Sequence, residues 1–353
     1  MSEVIVSSVS PLTLFVVEVI VENDCSYFYL YQPRKFNDNI LATCWIKNHV
    51  KVDGRYSMQN DMKKGLQPKV PTKHCAYESD LVPLQQDALE IVWGKEGSMA
   101  ALYENGELLC VIPYLPGYES NGYSKYSNVV EDDVIPLSLE SPDASVLVKI
   151  MDEAKAFWEQ DFNVIWKGYQ ESYLSELESK YGKYLKYYAI DGGTFPPKAL
   201  VLFEKDSIKY AFTLGVGIFP QPVDICIEDR KKYEFFEIGF AYVANANFNE
   251  HQVLSQISVI TMIPWINNTF LANHHTVDLV INTRYYHAVA INDKCVNAAQ
   301  FEFLDKRNVN LLWMVPVVNR VYEKLTSEPP DYSAVDIMAA NSDIVFLLDK
   351  SRA

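Results

Sequence analysis

Residues 309–317 read Val309-Asn310-Leu311-Leu312-Trp313-Met314-Val315-Pro316-Val317, seven apolar positions closed by a proline. Spanning a bilayer takes about 20 consecutive apolar residues. This run is bounded by Asp305, Lys306 and Arg307 before it and Arg320 after it, so it is far too short. The remaining readings are a catalytic strand end or a core strand. The other apolar stretch, Leu12 to Val21, carries Glu18 and has no basic segment ahead of it. It makes a poor signal peptide, and the expectation is a chain that is neither exported nor inserted in a membrane.

With 353 residues, 49% of them hydrophobic, the chain is long enough for two domains and a large core. Its formal charge is −15. Residues 1–140 hold 11 Lys and Arg against 19 Asp and Glu, and residues 141–353 hold 20 against 27, so the acidity is shared by both halves. Such a surface repels nucleic acid unless a local basic patch intervenes. Lys63-Lys64 and Arg230-Lys231-Lys232 are too short to serve. A basic protein partner is the electrostatic complement.

Cys25, Cys44, Cys75, Cys110, Cys226 and Cys295 form no CxxC pair, so neither a zinc knuckle nor a thioredoxin-type site is indicated. Scattered cysteines without a signal peptide point to free thiols in the reducing cytoplasm. In that compartment the sequon Asn267-Asn268-Thr269 carries no glycan.

Along the chain, Leu14–Val21 and Tyr27–Tyr31 are dense in β-branched and aromatic residues and are split by Asn23-Asp24. Asn105-Gly106 between two apolar runs predicts a hairpin whose two turn residues take positive φ. Ser141-Pro142 predicts a capped helix start, with Val146, Ile150, Ala154 and Phe157 at helical spacing. Further helices are expected over residues 171–181, 249–262, 317–325 and 333–340, and strands over 276–281, 287–291 and 344–348. No regular βαβ alternation is visible, so the expected class is α+β, mixed sheets flanked by helices. The predicted domains are a β-rich one over 1–140 and a second over 141–353.

Chemical motifs are sparse. There is no phosphate loop, and Gly215-Val216-Gly217 stops short of a dinucleotide fingerprint. Gly97-Ser98-Met99-Ala100 lacks the spacing of a nucleophile elbow. His274, His275 and Asp278 are metal-ligand types, but adjacent strand residues point to opposite faces. Asp191, before Gly192-Gly193, reads first as a turn aspartate bonding its own backbone. If the chain were a hydrolase, Asp191, Glu96, His251 or His274 would be its candidate groups. The sequence indicates no cofactor and no metal.

The opening stretch gains meaning from its surroundings. An apolar strand ending in proline and leading into an acidic amphipathic helix, VNLLWMVPVVNRVYEKL, resembles the C-terminal part of the Suppressor of Fused domain. Upstream, FTLGVGIFPQP is followed by FFEIGFA, a helix, and HHTVDLV; the chain closes on IVFLLDKSR with its late Arg352. The resemblance covers about residues 187–352. VWGKEGSMAALYENGELLCVIP and KYYAIDGGTFPPKAL are similar to the extra domain that precedes this module in some bacterial proteins.

Bacterial members of this kind resemble immunity proteins encoded beside polymorphic interbacterial toxins, which they bind inside the producing cell. Animal relatives are scaffolds that hold a transcription factor, and neither branch is known for catalysis. The resemblance thus implies a cytoplasmic, non-enzymatic immunity protein whose partner is a cognate toxin domain, basic where it makes contact. A general adaptor is the alternative. No basic or low-complexity insertion of the animal kind is present.

The segment whose composition best fits a protein contact is 114–133. It places Tyr114, Tyr118, Tyr123 and Tyr126 among Gly, Ser and Asn, a mixture that gives large amphipathic faces at little rotamer cost. Glu119 and the run Glu131-Asp132-Asp133 supply charge that steers a cationic partner.

Overall fold

The computed structural model describes residues 2–32, 39–52, 69–76, 81–117, 122–128, 137–244, 249–281, 284–292, 309–341 and 345–346. Its class is α+β, with three mixed or antiparallel sheets and six α-helices among the described residues. The chain divides into two compact units. The first comprises Met1–Gln160 with Asp224–Cys226, the second Asp161–Val223 with Ile227–Ala353.

In the first unit, β1 (Glu3–Val9), β2 (Val16–Glu22), β3 (Cys25–Tyr31) and β4 (Ile40–Asn48) form an antiparallel sheet in chain order. Asn23 and Asp24 turn β2 into β3 with φ of 50° and 60°. A second sheet holds β5 (Leu89–Trp93), β6 (Ala100–Glu104), β7 (Glu107–Ile112), β8 (Tyr123–Ser124) and β9 (Leu137–Ser138). The Asn105-Gly106 turn between β6 and β7 has φ of 50° and 80°, the double positive pair that only such residues adopt cheaply.

Alternation decides which faces are buried. Val17, Val19, Phe28 and Leu30 share one face and pack in one cluster with Leu102, Leu109, Cys110 and Ile112 of the other sheet. On the opposite face of β3, Tyr27 and Tyr29 pack with Trp45, Val70 and Cys75. Helix α1 (Pro142–Trp158) lays Ala144, Leu147, Met151 and Ala154 on Val92, Ala101, Tyr103 and Val111. Its start is the expected one, with Ser141 Oγ accepting from Ala144 N and Pro142 at the first position. Because this helix completes the first unit's core, the division falls after Gln160 and not after Glu140.

The second unit opens with α2 (Phe162–Tyr181), capped by Asp161 and nine residues longer at its start than the expected 171–181. Then follow β10 (Lys186–Ala189), β11 (Ala199–Lys205), β12 (Ile208–Leu214), β13 (Phe236–Val243), α3 (Glu250–Ile260) and α4 (Ile263–Asn267). The remainder is β14 (Thr276–Ile281), β15 (Arg284–Asn292), β16 (Asn310–Val317), α5 (Asn319–Leu325), α6 (Ser333–Ala340) and β17 (Val345–Phe346). These strands make one sheet in the order β10-β11-β12-β13-β16-β15-β14, with β17 also on β13. β13 runs parallel to β16 and β17, and the other pairings are antiparallel.

The opening stretch is β16, with all eight residues buried. Its partners are β13 as far as Trp313 and β15 as far as Val317. Pro316 lies beyond the β13 pairing, where a missing N–H costs no ladder bond on that side. Trp313 is 1% exposed and edge-on to Phe212 at 5.3 Å. Helix α5 starts at Asn319, two residues later than expected, because Val317 still pairs with His287.

Candidate partner-binding surface

The segment expected to grip a partner divides sharply. Tyr123 in β8 pairs with Val111 and Leu137 and is 3% exposed, enclosed by its own unit. That removes it as a contact residue. Gly122 before it lies so close to β4 that an added Cβ would come within 2.3 Å of Cys44. Ser124 Oγ donates to Ile46 O at 2.7 Å and accepts from Tyr126 N. Tyr114 meets Phe15 edge-on at 5.7 Å and packs on the core.

Tyr126 keeps a partly open ring, yet it too is used internally. Lys47 Nζ lies 4.6 Å from its centroid and Lys125 Nζ 5.7 Å, and its carbonyl accepts from Ala76 N. Tyr114 and Tyr126 therefore pack against residues of the first sheet, and Tyr123 packs between the second sheet and α1; folding back on apolar surface is what amphipathic rings do when it is within reach. Tyr118, Glu119, Glu131, Asp132 and Asp133 lie outside the described residues.

The candidate catalytic groups are dispersed. Asp191 is the turn-former its sequence context indicated: Oδ1 accepts from Gly193 N at 2.7 Å and Oδ2 from Lys198 N at 3.1 Å. Glu96 is half-buried in the β5–β6 turn, and His251 is exposed at the start of α3. His274 has φ of 70°, stacks on Tyr332 and bonds Asp336 at 3.1 Å. His275 instead bonds Phe270 O, and Asp278 bonds His287 at 2.9 Å. The three metal-ligand types thus face different partners, and no group of three or more such residues able to hold a metal occurs among the described residues. Nor is any described helix long and apolar enough to cross a membrane.

Two buried charges in the second unit were not anticipated. Glu237, in the FFEIGFA stretch, is fully buried on β13. Its Oε1 accepts from Tyr169 Oη at 2.7 Å, Gly215 N at 2.8 Å and Gly217 N at 3.0 Å, and its Oε2 from Thr213 Oγ1 at 2.6 Å. Burial pushes its carboxyl above the usual range, against the pull of those four donors. The network ties α2, the end of β12 and the following turn to the sheet centre. That turn needs glycine: Gly215 has φ of 95° and lies against the Trp166 ring.

Lys198, 7% exposed, immediately precedes β11, with its ammonium on Met262 Sδ and 5.9 Å from the Trp265 ring centroid. Burial lowers its pKa to about 8, with the charges of Glu237 and Asp191 opposing. A charged residue inside an apolar strand was the available sign for Glu237; Lys198, beside prolines, carried none. Compared with known proteins, the chain matches no family model, no curated protein and no solved structure.

Proposed function

We propose that this chain is a cytoplasmic immunity protein. It binds a cognate polymorphic toxin domain inside the producing cell and neutralises it by stoichiometric contact, without catalysis of its own. The reading rests first on the resemblance carried by the second unit, and one observation supports it. FTLGVGIF, FFEIGFA, HHTVDLV and VNLLWMVPV, scattered over about a hundred residues, fall on β12, β13, β14 and β16 of one continuous sheet. The four stretches thus lie in one sheet, β12, β13 and β16 in its interior and β14 at its edge.

Charge supports the nature of the partner. A net −15, spread over both halves, favours encounter with a cationic surface and disfavours nucleic acid. Many toxin domains that act on polyanions must themselves be cationic where they act, so an acidic inhibitor meets them with complementary sign.

The test is to identify a large secreted protein encoded in a neighbouring gene and to co-express its C-terminal domain with this chain; absence of any such neighbour counts against the proposal. Protection of a sensitive host, together with an equimolar complex on size-exclusion chromatography, is the expected outcome. Death of cells that contain the soluble chain would overturn the proposal, and so would protection by catalytic amounts that leave a chemically altered toxin. Recovery of several unrelated partners in place of one would favour an adaptor.

A further inference from the structure

A cleft of about 220 Å³ opens in the first unit where β5, the end of α1 and Pro11 meet. Its lining comes from Ile91, Val92 and Trp93 of β5 with Glu90 before them, and from Lys155, Trp158 and Glu159 at the end of α1. We propose that this cleft receives a lysine or arginine side chain of the protein partner. The proposal rests on the protein-binding function given above and names the chemistry of one of its contacts.

Three physical features select a basic side chain. Size comes first: sites for whole small molecules run to about 300–1,000 Å³, and this cleft falls below that range. Its lining comes second. The half-buried Trp158 indole and Ile91, with flanking carboxylates, suit a long apolar stem carrying a positive head, since the stem packs on ring surface and the cation gains from both ring and carboxylate, while the Trp93 indole lies buried behind them. The indoles are fixed, Trp158 Nε1 donating to Trp93 O at 2.7 Å and Trp93 Nε1 to Ser8 Oγ at 3.0 Å.

Charge is the third. Lys155 is already spent: its Nζ lies 2.8 Å from Glu90 Oε2 and 4.8 Å from the Tyr103 ring centroid. Glu159 is exposed, and its carboxylate makes no ion pair among the described residues. It also follows the last turn of a 17-residue helix, whose carbonyl end attracts cations. The uncompensated charge at the mouth is therefore negative.

The experiment needs no toxin. Full-length protein with ¹⁵N-labelled indoles is titrated with N-acetyl-lysine methylamide, N-acetyl-arginine methylamide, and N-acetyl-norleucine methylamide, which has the lysine stem without its charge. The basic amides are expected to move the Trp93 and Trp158 indole resonances in a saturable way, and norleucine to leave them in place. Glu159→Lys, which suits a helix C-terminus and so preserves the fold, should weaken that binding by about five- to ten-fold, an exposed pair lost and a repulsion gained.

Unmoved indoles, or an equal response to norleucine, would overturn the cleft assignment while leaving the proposed function intact. An intact cleft response in a chain that fails to protect cells would overturn the function alone. If wild type protects and Glu159→Lys binds the toxin domain with unchanged affinity, the cleft is not the contact.

Discussion

Replacing Glu237 probes whether hydrogen bonding or shape holds the centre of the second unit. In Glu237→Ala, the hydroxyls of Tyr169 and Thr213 and the amides of Gly215 and Gly217 lose their acceptor together. An orphaned buried donor costs about 1–3 kcal/mol. Relaxation and entering water prevent simple addition, so the expected loss is about 3–5 kcal/mol, the cost typical of breaking a buried charged network. Glu237→Gln is the discriminating partner. Its amide oxygen can keep the three bonds of Oε1, while its NH₂ faces Thr213 Oγ1, which already accepts from Ile238 N at 2.7 Å. The threonine proton must then turn toward Ile238 O, 3.5 Å away. The expected cost is about 1 kcal/mol at pH 7. Because burial raises the folded pKa of Glu237, its protonation-linked stability is fully present below 4.5 and lost as pH rises through the raised value. The glutamine deficit should thus be largest in acid and shrink toward a plateau. Urea denaturation of the full chain, with hydrogen exchange at the β13 amides, reads both variants. Alanine costing under about 1 kcal/mol, or glutamine costing as much as alanine, would refute the network account.

Lys198→Met should stabilise the chain at pH 7. Holding the folded pKa at about 8 against an ordinary 10.5 corresponds to roughly 3 kcal/mol of burial cost below pH 8, part of which methionine regains beside Met262 and Trp265. For this depressed pKa the linked stability is present above 10.5 and lost as pH falls through about 8, so the variant's advantage should fade across that window in thermal melts; a variant less stable at pH 7 would contradict this. Trp313→Ala should cost about 3–5 kcal/mol and reduce protection only in proportion to lost folded protein. Gly239→Ala should destabilise as well, since its Cβ would sit 2.7 Å from the Trp313 ring, and a smaller residue at 313 should rescue it in a double-mutant cycle. Additive losses would place the clash elsewhere.

How far the fold could be read from sequence depended on whether its determinants were local. The Asn105-Gly106 hairpin and the Ser141-Pro142 helix start are governed by the φ preferences and capping atoms of two or three neighbours, and both stand where the sequence placed them. Helix α2 was read only in its second half. Its buried face is Tyr169, Tyr173 and Leu177, one residue per turn, and Trp166 beside it packs against Gly215; a stripe that narrow in a polar helix gives little periodic signal. The tyrosines of 114–126 show the limit more plainly. Composition gives a residue's capacity for contact, but what it contacts is set by long-range packing, here strands β4 and β7 lying beside β8. Glu237 was visible as a charge inside an apolar strand, yet its four donors come from two segments distant in sequence, Tyr169 on α2 and the stretch from Thr213 to Gly217. The cleft draws on Pro11, residues 90–93 and residues 155–159. Its chemistry follows from elements brought together by the β5–α1 packing, so it became legible only once the helix was assigned to the first unit instead of the second.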